Sequence, residues 1–215
     1  MSTRSAKVNS LLDLAFRVPP LLEKIDSAND KESCASVSSL SEKILTLKKT
    51  FEFWLKSFCV VSRLNQKTAS RDAKKDSIHD LTCESLCRIC LLLLVEGLAD
   101  LETRNQPEVE HPSSSNTAQY ASELRKTATL FMSATKIPMV KARGVSGSLH
   151  FLDEYYSRTG NIAGRHWCSQ LRESVCREAP YLSWDVMLPW SLLTLYAIPL
   201  RTTEVALGSE RRALI

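Results

Sequence analysis

The apolar residues between Val37 and Val61 fall in one repeating order. Val37, Leu40, Ile44, Leu47, Phe51, Trp54, Phe58 and Val61 alternate steps of three and four throughout. Such steps return to one face of an α-helix, whereas a half-buried strand alternates in steps of two. The span therefore demands one long helix and a surface to bury its seam against. Ser38, Ser39 and Ser41 with Glu42 supply start signals. Phe51, Trp54 and Phe58 are bulky for the narrow seam of a coiled coil, so the pattern points to a central helix touching several neighbours.

A second long helix is expected near 77–102, and its run Ile89 to Val95 is apolar nearly all round. That composition requires burial on several sides. Around these two helices, near 35–62 and 77–102, the remaining apolar periodicity gives shorter ones. Val8, Leu11, Leu12, Ala15 and Val18 form the first, broken at Pro19-Pro20; LLEKIDSA restarts with proline in its first turn. AQYASELRKTATLFMSA, HFLDEYYSR and AGRHWCSQLRESVCREA read as helices, followed by an apolar helix at 183–198 and a short closing one. There is no hairpin chemistry and no internal repeat. The fold class is all-α, a single domain of about seven helices. Its expected halves are 1–104 and 118–215, joined by a flexible linker at 105–117, NQPEVEHPSSSNT, rich in proline and serine. A polar basic loop is expected from Arg63 to Asp76, and a Gly/Ser turn at KARGVSGS.

The chain has 215 residues, 44% hydrophobic and 24% charged, enough for a core without covalent staples. A net charge of +4 is too weak to imply nucleic acid. The start of the chain has no secretory pattern, and the longest uncharged apolar run, Val186 to Leu200, is short for a membrane span and carries Pro189 and Pro199. The seven cysteines are expected as reduced thiols in a nuclear or cytoplasmic compartment.

Three of those cysteines, Cys83, Cys87 and Cys90, form C-x3-C-x2-C within CESLCRIC. Radical S-adenosylmethionine enzymes hold an iron–sulfur cluster with that spacing. On a helix, however, 1.5 Å of rise per residue separates Cys83 from Cys90 by roughly 10 Å along the axis. Ligands about 2.3 Å from one zinc cannot come from all three. Only Cys83/Cys87 or Cys87/Cys90 could chelate as a pair, with Cys168 or Cys176 as partners from elsewhere. The cysteines are read as small hydrophobes of a buried helix, and no metal or cofactor is expected.

Other candidates carry less. GVSGS, Gly144 to Ser148, could cradle an anion at a helix start but lacks a P-loop lysine. His150 and Glu154 stand four apart, a spacing that usually marks a surface contact. Asp153 and Glu154 are adjacent and diverge on a helix; no D-D-x-x-D box exists. Arg63, Lys67, Arg71, Lys74 and Lys75 are diluted by Asp72 and Asp76. His111 falls in the linker. Trp167, Trp184 and Trp190 are core anchors that could frame a ligand pocket.

The order of segments is similar to the helical regulatory region of fungal zinc-cluster transcription factors. LLDLAFRVPPLLEKID, the aromatic helix around FEFWLKSF, CRICLLLLVEGLADLE and the later ATLFMSATKIPMV and HWCSQLRE stretches carry the resemblance. It covers most of the chain as a pattern of helices. The family's six-cysteine zinc cluster, C-x2-C-x6-C repeated, is absent, with Cys34 and Cys59 isolated, so no DNA-reading residues carry over. The resemblance implies a non-catalytic regulatory module working through protein partners or a small-molecule effector, without direct nucleic-acid or membrane binding. The alternatives are a helical enzyme or cofactor binder, with its site among the C-terminal helices from Cys83 and Trp167 to Trp190, and a scaffold self-associating through the Val37–Val61 seam.

Overall fold

The computed structural model describes residues 3–27, 34–66, 72–105 and 113–180. Seven helices make up these residues: α1 Thr3–Ala15, α2 Val18–Ser27, α3 Cys34–Gln66, α4 Asp72–Asn105, α5 Ser113–Ala134, α6 Pro138–Arg158 and α7 Ile162–Glu178. No strand occurs among them. The chain is a single all-α domain. The apolar run at 183–198, the closing helix, Trp184, Trp190 and His111 lie outside the described residues.

Helix α4 is the axle. It packs against α3 on one side and α5 on the other; α6 lies on α5, α7 on α6, and α1 and α2 close the α3–α4 face. Two apolar clusters result. The first joins Leu11, Val18, Ile25, Ile44, Phe51 and Phe58 to Cys87, Leu91, Leu94 and Leu98. The second joins Ile89 and Leu92 to Leu124, Phe131, Val145, Leu149, Tyr156 and Cys168. The apolar circumference of α4 is explained by this double burial.

The α3 seam is buried from Leu40 to Phe58, with Val37 half-buried and Trp54 stacked on Phe58 at 4.6 Å. Its partners are the chain's own helices. From Leu40 to Phe58, the surface offered for self-association is therefore already covered.

Polar pairs fasten the helices. Tyr120 donates to Glu52, which also holds Lys48 at 2.9 Å. Burial alone would raise the Glu52 carboxyl, but the Tyr120 hydroxyl and the Lys48 ammonium hold it below its usual range. Arg88 joins Glu84 of its own helix at 2.8 Å to Glu123 of α5. Arg158 of α6 grips Glu96 of α4 with two contacts of 2.8 Å.

Several boundaries differ from the sequence reading. Helix reaches Asn105 and resumes at Ser113, so the ends of the expected 105–117 linker are helical. The loop expected at 63–76 likewise gives up its ends to α3 and α4. KARGVSGS is no turn, since α6 runs through it and absorbs HFLDEYYSR. The reason is tertiary. A Cβ on Gly144 would lie 2.0 Å from Cε1 of Phe131, so the glycine lets α5 press its ring onto the backbone of α6. The real turn is at Gly160, whose φ of 66° is left-handed. Asn161 then caps α7, its side-chain oxygen accepting from the Gly164 N–H at 2.8 Å.

Candidate functional site

The cysteine motif lies within α4, and its three thiols take separate paths. Cys87 donates to the Phe51 carbonyl at 3.6 Å, and Cys83 approaches Nδ1 of His79 at 3.7 Å. Cys90 is wholly buried, and that burial pushes its thiol up to about 12. Cys168 belongs to the other apolar cluster and is also raised to about 12, first by burial and then by Asp153. Among the described residues no three of His, Cys, Asp and Glu converge as a ligand set.

His150 and Glu154 do not face a common centre. His150 sits edge-on to Phe151, and burial lowers its imidazole despite Glu154 and Asp153. Asp153 turns to α7, where Arg172 lies at 3.1 Å and Arg165 at 3.8 Å; Glu154 stays near Arg158. Trp167 lies under the Arg125 guanidinium, 4.6 Å from the ring centre. The side chains of the basic cluster Arg63, Lys67, Arg71, Lys74 and Lys75 lie outside the described residues.

Two sequence motifs considered separately do meet. CESLCRIC brings Cys83, Ser85, Leu86 and Ile89, and GVSGS brings Gly144, Gly147 and Ser148, to one cavity of about 250 Å³. Val8, Leu11 and Leu12 of α1 form its third wall, with His79, Thr82 and Arg143 around the rest. This cavity lies between α1, α4 and α6; a pocket around Trp167, Trp184 and Trp190 falls largely outside the described residues. The anion-cradle reading of GVSGS fails, because these residues are inside α6 and their backbone is spent on helix.

The cavity has an unusual polar feature. Ser85 is 5% exposed and Ser148 1% exposed. The hydroxyl oxygen of each is sealed from solvent and makes no hydrogen bond. Buried hydroxyls in native proteins nearly always find a partner, and the common one in a helix is the carbonyl a turn earlier. Neither serine stood out on its own in the sequence, although both lie in motifs singled out for other reasons, CESLCRIC and GVSGS. The available signal was a serine on an otherwise apolar helix face, between Cys83 and Leu86 and between Val145 and Leu149.

A larger groove of about 600 Å³ runs between the α1–α2 corner and α3, lined by Phe16, Pro20 and Leu21 with Arg17, Glu42 and Lys43. It is open to water, and its charged rim is solvated. No helix among the described residues is long and apolar enough to cross a membrane. No family model matches the chain, and neither a curated protein nor a solved structure is significantly similar to it.

Proposed function

We propose that the chain is a non-catalytic regulatory module, of the kind seen in the helical region of fungal zinc-cluster transcription factors, whose output depends on the occupant of the α1–α4–α6 cavity. One observation carries the reading. The cavity draws its walls from α1, which packs in the first apolar cluster, and α6, which packs in the second, with α4 common to both. An occupant there adjusts the two halves against each other, which is what an effector site must do. The lining is apolar and hydroxylic, with His79, Arg143 and the Cys83 thiol as its titratable groups and no carboxylate to complete an acid–base pair. The module acts in the nucleus or cytoplasm through protein partners and needs no nucleic-acid contact of its own.

The test is a fusion to a heterologous DNA-binding domain driving a reporter. Output should differ from the DNA-binding domain alone, and should shift when Leu12→Trp fills the cavity from its half-buried α1 wall. Equal output from all three would refute the reading. A second reading, a helical cofactor or metal protein, draws on the His79–Cys83 contact at the same cavity. It requires stoichiometric metal in the purified protein, lost in Cys83→Ser.

A further inference from the structure

The cavity between α1, α4 and α6 is polar at one end and apolar at the other. His79 and Thr82 of α4 and Arg143 of α6 are exposed, whereas Leu11, Leu86 and Ile89 are almost wholly buried. Helices α4 and α6 run parallel, since residues early in both share this cavity and, later in both, Glu96 meets Arg158. His79 and Arg143 therefore stand at the same end, at the mouth, with Leu86 and Ile89 deeper. No Asp or Glu is among the lining side chains. The Ser85 and Ser148 hydroxyls are sealed from solvent, so an occupant meets apolar walls below and the donors of His79 and Arg143 above. The Cys83 thiol lies 3.7 Å from Nδ1 of His79. A thiol donating there leaves the imidazole proton on Nε2, where it can be given to an acceptor. Arginine carries several N–H donors in a planar fork that matches a carboxylate, enough to serve one beside its contacts within the protein. Size sets the body of the occupant. An apolar cavity of about 150 Å³ holds the carbons of benzene, about 25 Å³ each, so the 250 Å³ here holds about ten carbons.

We infer that the α1–α4–α6 cavity binds a small amphipathic monocarboxylic acid, its apolar body of up to about ten carbons lying along Leu11, Leu86 and Ile89 and its carboxylate held at the mouth by Arg143 and His79. This names the ligand class of the regulatory site and rests on that choice of cavity. The carboxylate stays at the exposed end, so it keeps part of its hydration while the apolar body leaves water. An amine of the same shape would meet the like charge of Arg143, and an alcohol would gain no charge-assisted bond from it.

The experiment uses the full chain at neutral pH with octanoate, 1-octanol and octylammonium, which share a chain and differ in the head. Binding is followed by calorimetry and by the rise in melting temperature that ligand linkage requires. Charge-assisted hydrogen bonds are about twice as strong as neutral ones, so octanoate should bind at least about fivefold more tightly than 1-octanol, with octylammonium weakest. Added salt should weaken octanoate and leave 1-octanol unchanged. In the double variant Arg143→Gln/His79→Gln, whose two sites are exposed, the preference for octanoate should disappear while 1-octanol binds as before. Leu12→Trp, which fills the cavity from α1, should weaken both and so separate this site from the larger groove beside Arg17 and Lys43. The double variant decides the matter even where Leu12→Trp does not fold. Equal affinity for octanoate and 1-octanol, no binding of octanoate, or a preference undiminished in the double variant would overturn the inference, as would octanoate binding untouched by a folded Leu12→Trp. The reporter fusion separates the two ideas. Octanoate binding that depends on Arg143 and His79, with flat reporter output, supports the ligand class and sinks the regulatory role. A reporter response to Leu12→Trp without any octanoate preference does the reverse.

Discussion

Replacing Gly144 by alanine tests how closely the Phe131 ring of α5 sits on the backbone of α6. A Cβ there would lie 2.0 Å from Cε1, 2.1 Å from Cζ and 2.6 Å from Cδ1 of Phe131. Carbon atoms rest about 3.5–4.0 Å apart, so α6 must retreat by about 1.5 Å or the ring must leave its rotamer. Phe131 is 1% exposed, with Leu124, Ala128 and Val145 in the same cluster, so the ring has nowhere to go. Overpacking a core costs about 1–3 kcal/mol, and an overlap with three ring atoms belongs at the top of that range. Alanine returns about 1 kcal/mol of helix propensity over glycine. The net loss is about 2 kcal/mol, or a fall in Tm of roughly 4–8 °C for a chain of this size. Thermal melts by circular dichroism measure it. Phe131→Leu removes Cε1 and Cζ, the two nearest ring atoms, so the double variant should be less destabilised than the sum of the singles by about 1 kcal/mol or more. A Gly144→Ala variant that melts at or above wild type would show that propensity is the only term acting, and the reasoning would fall.

Three further outcomes follow from named contacts. Asn161→Ala removes the cap of α7 and should cost about 1 kcal/mol, read from a urea midpoint, with Asn161→Ser recovering most of it; an unchanged midpoint would contradict the cap. The His150 imidazole is held below its ordinary value by burial, so the folded chain binds that proton less readily than the unfolded one. Its contribution is in place above about pH 6.5 and is lost as pH falls through the lowered folded value; His150→Gln should flatten the acid side of the Tm–pH curve, and parallel curves would rule this out. Cys90 and Cys168, both raised to about 12, should resist iodoacetamide at neutral pH until urea unfolds the chain. Peptide mapping that finds Cys90 modified equally fast in the folded chain would defeat that expectation.

The α3 seam was legible because each of its residues has one face to satisfy, and the period of that face is written directly in the spacing. The break near Pro19-Pro20 was legible only roughly: it falls at Phe16–Arg17, and Val18 and both prolines belong to the first turn of α2, where proline's missing N–H costs nothing. The glycines of GVSGS were misleading. Local chemistry reads Gly and Ser together as a turn, but Gly144 answers to Phe131 on another helix, and no local rule can see that partner. The helical ends of the 63–76 and 105–117 stretches were hidden likewise, because polar residues on an exposed helix and in a loop have the same composition. The cavity was the least legible feature. Each of its serines is unremarkable alone, and it is their shared lack of a partner around one space that distinguishes them.

Helix α4 shows why the cysteine motif misleads in one way and informs in another. A helix buried on one side can spend large side chains inward and charges outward. Here Cys83, Cys87 and Cys90 face the α1–α3 side, while Ile89 and Leu92, interleaved with them, face α5 and α6. Arg88, between the two, is tolerated because Glu84 and Glu123 both reach it. Cysteine is small enough to let α3 approach α4 closely, as the Cys87 contact with the Phe51 carbonyl requires. Leucine at Cys87 would force those helices apart, and isosteric serine would keep the contact with a stronger donor. The C-x3-C-x2-C spacing is therefore the trace of close helix packing. The same α4 brings Ser85, on the turn between Cys83 and Cys87, to the cavity wall, so the segment that resembles a metal site in sequence also lines a largely apolar pocket.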